Sequence, residues 1–202
     1  MRKGMEHKEI YSRILDIHKH IFEQLKFAET KNNILLVFIV AFIAMTVRFL
    51  QSSNSDYISV KVFMISMLII LLCAAFELLL SFKPILDNKE KKYNFLVRIF
   101  KYFAKTQNRS NLCNIYFFKD LAKINSKELI EIIIRDLENN AEKEKIQNDK
   151  FINDLLNQIC VLSLITLNKH KCFLNSLLYI VLLFICFLII LIIEFFSIIK
   201  IF

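Results

Sequence analysis

The chain has 202 residues, 56% of them hydrophobic, with 20 Phe, no Trp, one Gly, one Pro and a formal net charge of +8. So few Gly and Pro leave little material for hairpin turns. So much apolar side chain argues against an ordinary water-soluble domain, because a chain of this size has too little polar mass to cover it.

Residues 1–33 read as an amphipathic helix on the cytoplasmic side. Ile10, Ile14, Ile17, Ile21, Leu25 and Ala28 recur at spacings of three and four and so share one helical face. Lys, Glu, Asp and His fill much of the remainder, and charges of both signs favour packing against the cytoplasmic domain or another protomer over lying on a lipid surface. No Gly or Pro separates this helix from the apolar run that follows, so it is expected to continue into it through Glu29, Thr30, Lys31, Asn32 and Asn33.

Residues 34–50 form the first expected transmembrane helix. The run reaches spanning length only if Arg48 is included, its charge snorkelling to the head groups. It starts after more than thirty residues and no small-x-small site follows, so it reads as an uncleaved signal anchor. Residues 51–59 form a short external loop without a basic residue, and residues 60–81 a second span interrupted by Ser66 and Glu77. Phe82-Lys83-Pro84 marks its end, since a proline disfavours helical geometry at the residue before it.

Residues 82–171 read as a cytoplasmic helical domain. The basic stretch 87–111, around Phe95–Phe100, fits either a short interfacial helix or a strand. Asn125-Ser126-Lys127-Glu128 has the form of a helix start, with Asn125 as N-cap and Glu128 in the reciprocal position. Leu129, Ile132, Ile133 and Leu137 supply its apolar face. The charged residues 139–148 form either the bend of a helical hairpin or a solvated turn within a longer helix. From Lys150, the apolar face comprises Phe151, Ile152, Leu155, Leu156, Ile159, Leu162, Ile165 and Thr166. Asn168-Lys169-His170-Lys171 makes a positive collar before the third span, residues 172–197, and residues 198–202 form a short external tail.

The fold class is therefore an all-α membrane protein: three transmembrane helices, an N-terminal amphipathic helix and a cytoplasmic helical hairpin or bundle. Charge sets the orientation. Residues 1–33 carry seven Lys or Arg and residues 81–174 carry seventeen, against none in the loop 51–59, which places the N-terminus and central segment inside.

None of the five cysteines falls in the outer loop and no CxxC pair occurs, so no disulfide framework is expected. His7, His18 and His20 suit a solvated N-terminal segment better than a metal set. No P-loop, dinucleotide fingerprint or metalloprotease motif occurs, and Asp149 and Asp154 read as charged helix surface. The expectation is a protein that is not an enzyme. Positive charge interspersed with acids is accounted for by membrane orientation, so no nucleic-acid partner is expected. The polar residues near the membrane stand out instead. Glu77 and Glu194 either reach water at an interface or, if they face another helix, pair or line an opening. Glu29 and Lys31 are either a solvated junction or an intersubunit contact.

Three segments in order resemble the transmembrane effector family of Pycsar anti-phage defence. Phe27-Ala28-Glu29-Thr30-Lys31-Asn32-Asn33-Ile34-Leu35-Leu36 resembles that family's lead-in to its first membrane helix. Ile115-Tyr116-Phe117-Phe118-Lys119-Asp120-Leu121-Ala122 is similar to its aromatic–Asp segment. Asp154-Leu155-Leu156-Asn157-Gln158-Ile159, with Leu162-Ser163 and Asn168-Lys169, is similar to its approach to the last span. The chain departs from the family pattern in carrying Lys119 where a small residue precedes the aspartate, and in its unusually basic 87–111 stretch.

The resemblance implies a homo-oligomeric effector in the bacterial inner membrane, functionally linked to a pyrimidine nucleotide cyclase. Cyclic CMP or cyclic UMP would activate it to disrupt the membrane and arrest growth, with no other cofactor. A related effector of a cyclic-oligonucleotide defence system, or a constitutive scaffold, is the competing reading. The switch candidates are Glu29, Thr30, Lys31 and Glu77, and the candidates matched in the cytoplasmic domain are Phe118, Asp120, Asp154, Gln158 and Lys169.

Overall fold

The computed structural model describes residues 3–52, 58–82, 114–135 and 140–199 of the chain. Among these residues all regular structure is helical, in the order α1 (Lys3–Ser52), α2 (Ile58–Leu80), α3 (Phe118–Leu121), α4 (Ser126–Ile134), α5 (Asn140–Asn148) and α6 (Lys150–Ile199). Three of these helices, α1, α2 and α6, contain stretches long and apolar enough to cross a membrane. The stretch 87–111, the residues at Pro84, and Leu137 lie outside the described residues, as does the side chain of Glu194.

α1 and α6 are each 50 residues long and unbroken, about 75 Å at 1.5 Å per residue. The sequence explains the continuity of α1. The one Gly of the chain sits at position 4, its one Pro at position 84, and nothing between Lys8 and Ser52 disrupts the hydrogen-bond ladder. α2 ends in a tightened turn, with Ser81 N–H donating to Leu78 O at 3.0 Å and Phe82 N–H to Leu79 O at 3.1 Å.

The chain divides into two compact units. Unit 1 comprises Met1–Glu29 and Asp87–Lys169, and unit 2 comprises Thr30–Leu86 and His170–Phe202. α1 and α6 contribute residues to both.

Unit 1 has a core of branched aliphatic side chains. Ile14, Ile17 and Ile21 of α1 are fully buried, and Ile10 nearly so, against Leu121, Leu129, Ile133, Ile146, Ile152, Leu156 and Ile159. Leu25 and Ala28 are buried further along the same stripe. Every position of the α1 stripe is thus withdrawn from solvent by protein, and each fully buried Ile contributes about 1.5–3 kcal/mol relative to exposure. α4 begins with the reciprocal cap: Glu128 N–H donates to Asn125 Oδ1 at 2.8 Å, and Asn125 N–H to Glu128 Oε2 at 3.4 Å. Its buried face is Leu129, Ile130, Ile133 and Ile134, with Ile132 half-buried at the edge. That face is rotated from the expected one, since Ile130 and Ile134 are buried beside Leu129 and Ile133 and make a second, adjacent row.

The charged run after residue 139 is neither a bend nor a turn within one long helix. Residues 140–148 are helical, and the break falls at Asp149. Asp149 caps α6, its Oδ1 accepting from Phe151 N–H at 2.9 Å and Ile152 N–H at 3.3 Å. Reading Asp149 as mere charged surface missed this cap, a role for which a short acceptor side chain is well suited. On α6, Ile152, Leu155, Leu156, Ile159 and Thr166 are buried as expected, whereas Phe151 is 57% exposed, with its ring 5.8 Å from that of Tyr11. Ser163 is fully buried and was not anticipated.

Unit 2 packs Ile39 of α1 with Leu71, Ala74 and Leu78 of α2, joined by Leu35, Leu36, Met67, Tyr179, Ile180 and Leu183. Ala74 and Ser176 are both fully buried, and the Ser176 hydroxyl donates to the Ala74 carbonyl at 2.9 Å. Small residues at a contact let helix backbones approach closely, and a hydroxyl donating across helices leaves no polar group bare in hydrocarbon. Thr46 and Ser66 satisfy theirs within their own helices, on Phe42 O at 2.8 Å and Phe63 O at 2.7 Å. The outward surface carries Val37, Phe38, Ile69, Phe76, Phe184 and Ile189, each at least half exposed. An apolar surface of this kind is stable only in contact with lipid or more protein.

Candidate functional site

The candidates read from the sequence fall into three places. The first lies at the end of unit 1. Lys169 Nζ stands 3.3 Å from Glu29 Oε1, with the lysine side chain 9% exposed and the glutamate side chain 45% exposed. One partner comes from the part of α1 that continues the buried isoleucine stripe, the other from α6 ten residues after Ile159. The pair therefore ties two helices already joined by apolar contacts. A buried ammonium requires such a partner, whereas the half-exposed carboxylate retains access to water. Sequence placed Glu29 and Lys169 in separate groups, and the structure brings them together.

The second place is the segment Asn114–Leu121. Phe118 packs against the unit 1 core, its ring 5.0 Å from that of Phe117. Asp120 accepts from Asn114 N–H at 3.4 Å, and Asn114 Oδ1 accepts from Tyr116 N–H at 3.0 Å, so the aspartate closes a local turn. α1 holds this turn through residues that the sequence reading left aside. Gln24 Nε2 donates to Tyr116 O at 3.3 Å and lies 2.7 Å from His20 Nε2, and the His20 and Tyr116 rings meet edge to face with centroids 6.2 Å apart. His20 is exposed, in keeping with a solvated N-terminal segment, and its ring also meets Tyr116. The spacing of four between His20 and Gln24 marks a shared face, but nothing in the sequence pairs that face with Tyr116. Asp154 and Gln158 stand on the exposed side of α6, and the structure does not bring them to this turn.

The third place lies in unit 2. Glu77 is buried, 9% exposed, in the same unit as Tyr179 and within its electrostatic reach. Thr30 is exposed, and Lys31 Nζ sits 4.5 Å from the centroid of the Phe173 ring. His170 has its pKa lowered from the usual 6.5, first by burial and then by the charge of Lys31.

Among the described residues no group of three His, Cys, Asp or Glu is placed to hold a metal ion. An open depression at the α5–α6 joint is lined by Glu144, Lys145, Asn148 and Asp149 and includes none of the candidates. Cys160 of unit 1 is pushed up to about 11 from the ordinary 9.0, chiefly by burial and then by the negative charge of Glu128. Two pK units cost about 100-fold in thiolate, which the higher nucleophilicity of a more basic thiolate offsets by roughly 8-fold. Cys160 is therefore expected to react with iodoacetamide at pH 8 about ten-fold more slowly than an ordinary thiol, measured by mass spectrometry of its peptide; a rate matching a free thiol would show that unit 1 opens there.

Compared with known proteins, residues 13–196 match the model of a family described as the Pycsar effector protein domain. No curated protein and no solved structure matches the chain.

Proposed function

We propose, because this chain belongs to the Pycsar effector family, that it is a membrane effector of anti-phage defence that answers a cyclic pyrimidine nucleotide by disrupting the inner membrane and arresting growth. The activating ligand in this reading is cyclic CMP or cyclic UMP, supplied by a pyrimidine nucleotide cyclase. The effector works without catalysis, as a homo-oligomer whose subunits rearrange. Its N-terminus and residues 82–171 face the cytoplasm, and residues 34–50, 60–81 and 172–197 cross the bilayer.

One observation carries the reading. α1 and α6 are unbroken for 50 residues each, and both have core residues of unit 1 in one part and apolar residues of unit 2 in another. A change of packing among Ile14, Ile17, Ile21, Ile152 and Ile159 is therefore a displacement of the same helices that carry Ile39, Tyr179 and Leu183. Packed helices with two arrangements transmit a ligand's preference for one of them, to the extent of its differential affinity.

The test is a leakage assay on purified protein in sealed vesicles, with cyclic CMP, cyclic UMP and cyclic oligonucleotides compared. Dye release on adding one of the pyrimidine nucleotides is the expected result. Release only with a cyclic oligonucleotide would assign the protein to a different signal. Vesicles that stay sealed with every nucleotide, with the protein inserted, would point to a constitutive scaffold.

A further inference from the structure

From Leu155 to Leu167, α6 carries no charged residue. The core of unit 1 takes one side of this stretch, with Leu156, Ile159 and Ser163 fully buried. Asn157, Gln158, Val161, Leu164 and Ile165 stand at positions i, i+1, i+4, i+7 and i+8, which at 3.6 residues per turn form a single face on the opposite side. Asn157, Gln158 and Val161 are exposed, Val161 by 53%, and Leu164 and Ile165 are half-buried. The outward face of an amphipathic helix in water ordinarily carries charge, and this one has none.

Lipid does not explain the absence of charge. The Tyr11–Phe151 and Glu29–Lys169 contacts both join residues 140 positions apart, so α1 and α6 run parallel and in step through unit 1. The uncharged stretch of α6 therefore stands level with residues 15–27 of α1, which expose Asp16, Lys19, Glu23 and Lys26. Side chains of that kind belong in water rather than hydrocarbon. What fits the α6 face is protein, and its chemistry favours a second copy of the same chain. Copies inserted in one membrane share an orientation, so two of them are related by an axis across the bilayer, and a helix face on that axis meets the same residues again. Any charge there would meet its like and repel it. Asn and Gln amides hold a donor and an acceptor together and so pair with their own kind, while Val, Leu and Ile add apolar area. A foreign partner is steered and selected by charge, which this face does not offer. Two helical turns bury too little to join proteins free in solution, but confinement in a common orientation removes much of the cost of association.

We propose that Asn157, Gln158, Val161, Leu164 and Ile165 form a contact between two copies of this chain, each face against its counterpart. The inference rests on the homo-oligomer of the effector reading and adds the surface that joins it.

Full-length protein carrying a donor or an acceptor fluorophore at its N-terminus is reconstituted together in vesicles at high lipid excess, with and without cyclic CMP or cyclic UMP. Energy transfer between copies is expected for the wild type. Val161→Lys and Val161→Glu are each expected to weaken association at least about ten-fold, since like charges then face each other. Mixing the Lys variant with the Glu variant should restore it, because the two faces then attract. Val161 is 53% exposed, so both variants should melt like the wild type. Lys19→Glu, at the same depth on α1, should associate normally. Absence of energy transfer in the wild type, normal association of the single Val161 variants, equal losses in the Lys19 variant, or a mixture that fails to recover would overturn the proposal. Leakage is read from the same vesicles. Recovery in the mixture from vesicles that stay sealed with every nucleotide would support the contact and count against the effector reading. Nucleotide-dependent leakage from wild-type vesicles without energy transfer would overturn the contact and leave that reading standing.

Discussion

A proline at Asn168 is expected to abolish nucleotide-dependent leakage while leaving the protein in the membrane. Asn168 lies in the interior of α6, which runs from Lys150 to Ile199. Proline there removes the amide that would bond to the carbonyl four residues earlier, and its ring clashes with that carbonyl, at a cost of about 3 kcal/mol. The packing before it, through Ile152, Leu156 and Ile159, belongs to the core of unit 1. The packing after it, through Ser176 on the Ala74 carbonyl and through Tyr179 and Leu183, belongs to unit 2. Neither set of contacts includes Asn168, so both should survive a local kink, and insertion measured by alkaline extraction should match the wild type. Leakage should fall to the level seen without nucleotide. Asn168→Ala, which keeps the helix and removes the same side chain, should leak normally. A proline variant that leaks like the wild type would show that α6 does not carry the signal.

The parts of this fold that were legible in the sequence are those written in local periodicity. Ile10, Ile14, Ile17 and Ile21 repeat at three and four residues and all are buried, because a helix with one apolar stripe has only one face to hide. The Asn125–Glu128 cap was equally legible, since both of its bonds lie within four residues. α4 was read only in part: Leu129 and Ile133 are buried, but Ile130 and Ile134 are buried with them. A run of Leu, Ile and Glu in which most positions are apolar offers several faces, and the neighbours on each flank decide among them. Asp149 was obscured by its surroundings, one short acid in a run of Lys, Glu and Asn, although it precedes an apolar stretch as a cap should. The contacts between Gln24 and Tyr116 and between Glu29 and Lys169 join residues far apart in the chain. No spacing rule reaches that far, so residue types there marked candidates without pairing them.

Removing the carboxylate of Glu29 is expected to cost more than removing the ammonium of Lys169, and the two losses are expected not to add. The asymmetry follows from exposure. The Lys169 side chain is 9% exposed and the Glu29 side chain 45%. Glu29→Gln leaves a buried ammonium beside a neutral amide that preserves shape but not charge, at a cost of about 1–3 kcal/mol. Lys169→Met retains the apolar stem of the side chain and leaves behind a carboxylate that can turn to water, so its cost should stay below about 1 kcal/mol. The double variant should resemble Lys169→Met alone, since without the ammonium the amide at position 29 harms nothing. Thermal melting of the four proteins in detergent supplies the cycle, and a non-additive term as large as the Glu29→Gln cost, about 1–3 kcal/mol, is expected. Leakage supplies an independent reading. Because the pair ties α1 to α6 in unit 1, Glu29→Gln should weaken the nucleotide response with insertion intact, and Glu29→Lys combined with Lys169→Glu should recover part of it. Strict additivity in melting, together with a wild-type nucleotide response in Glu29→Gln, would remove the pair from the mechanism and leave α1 and α6 coupled through their isoleucines alone.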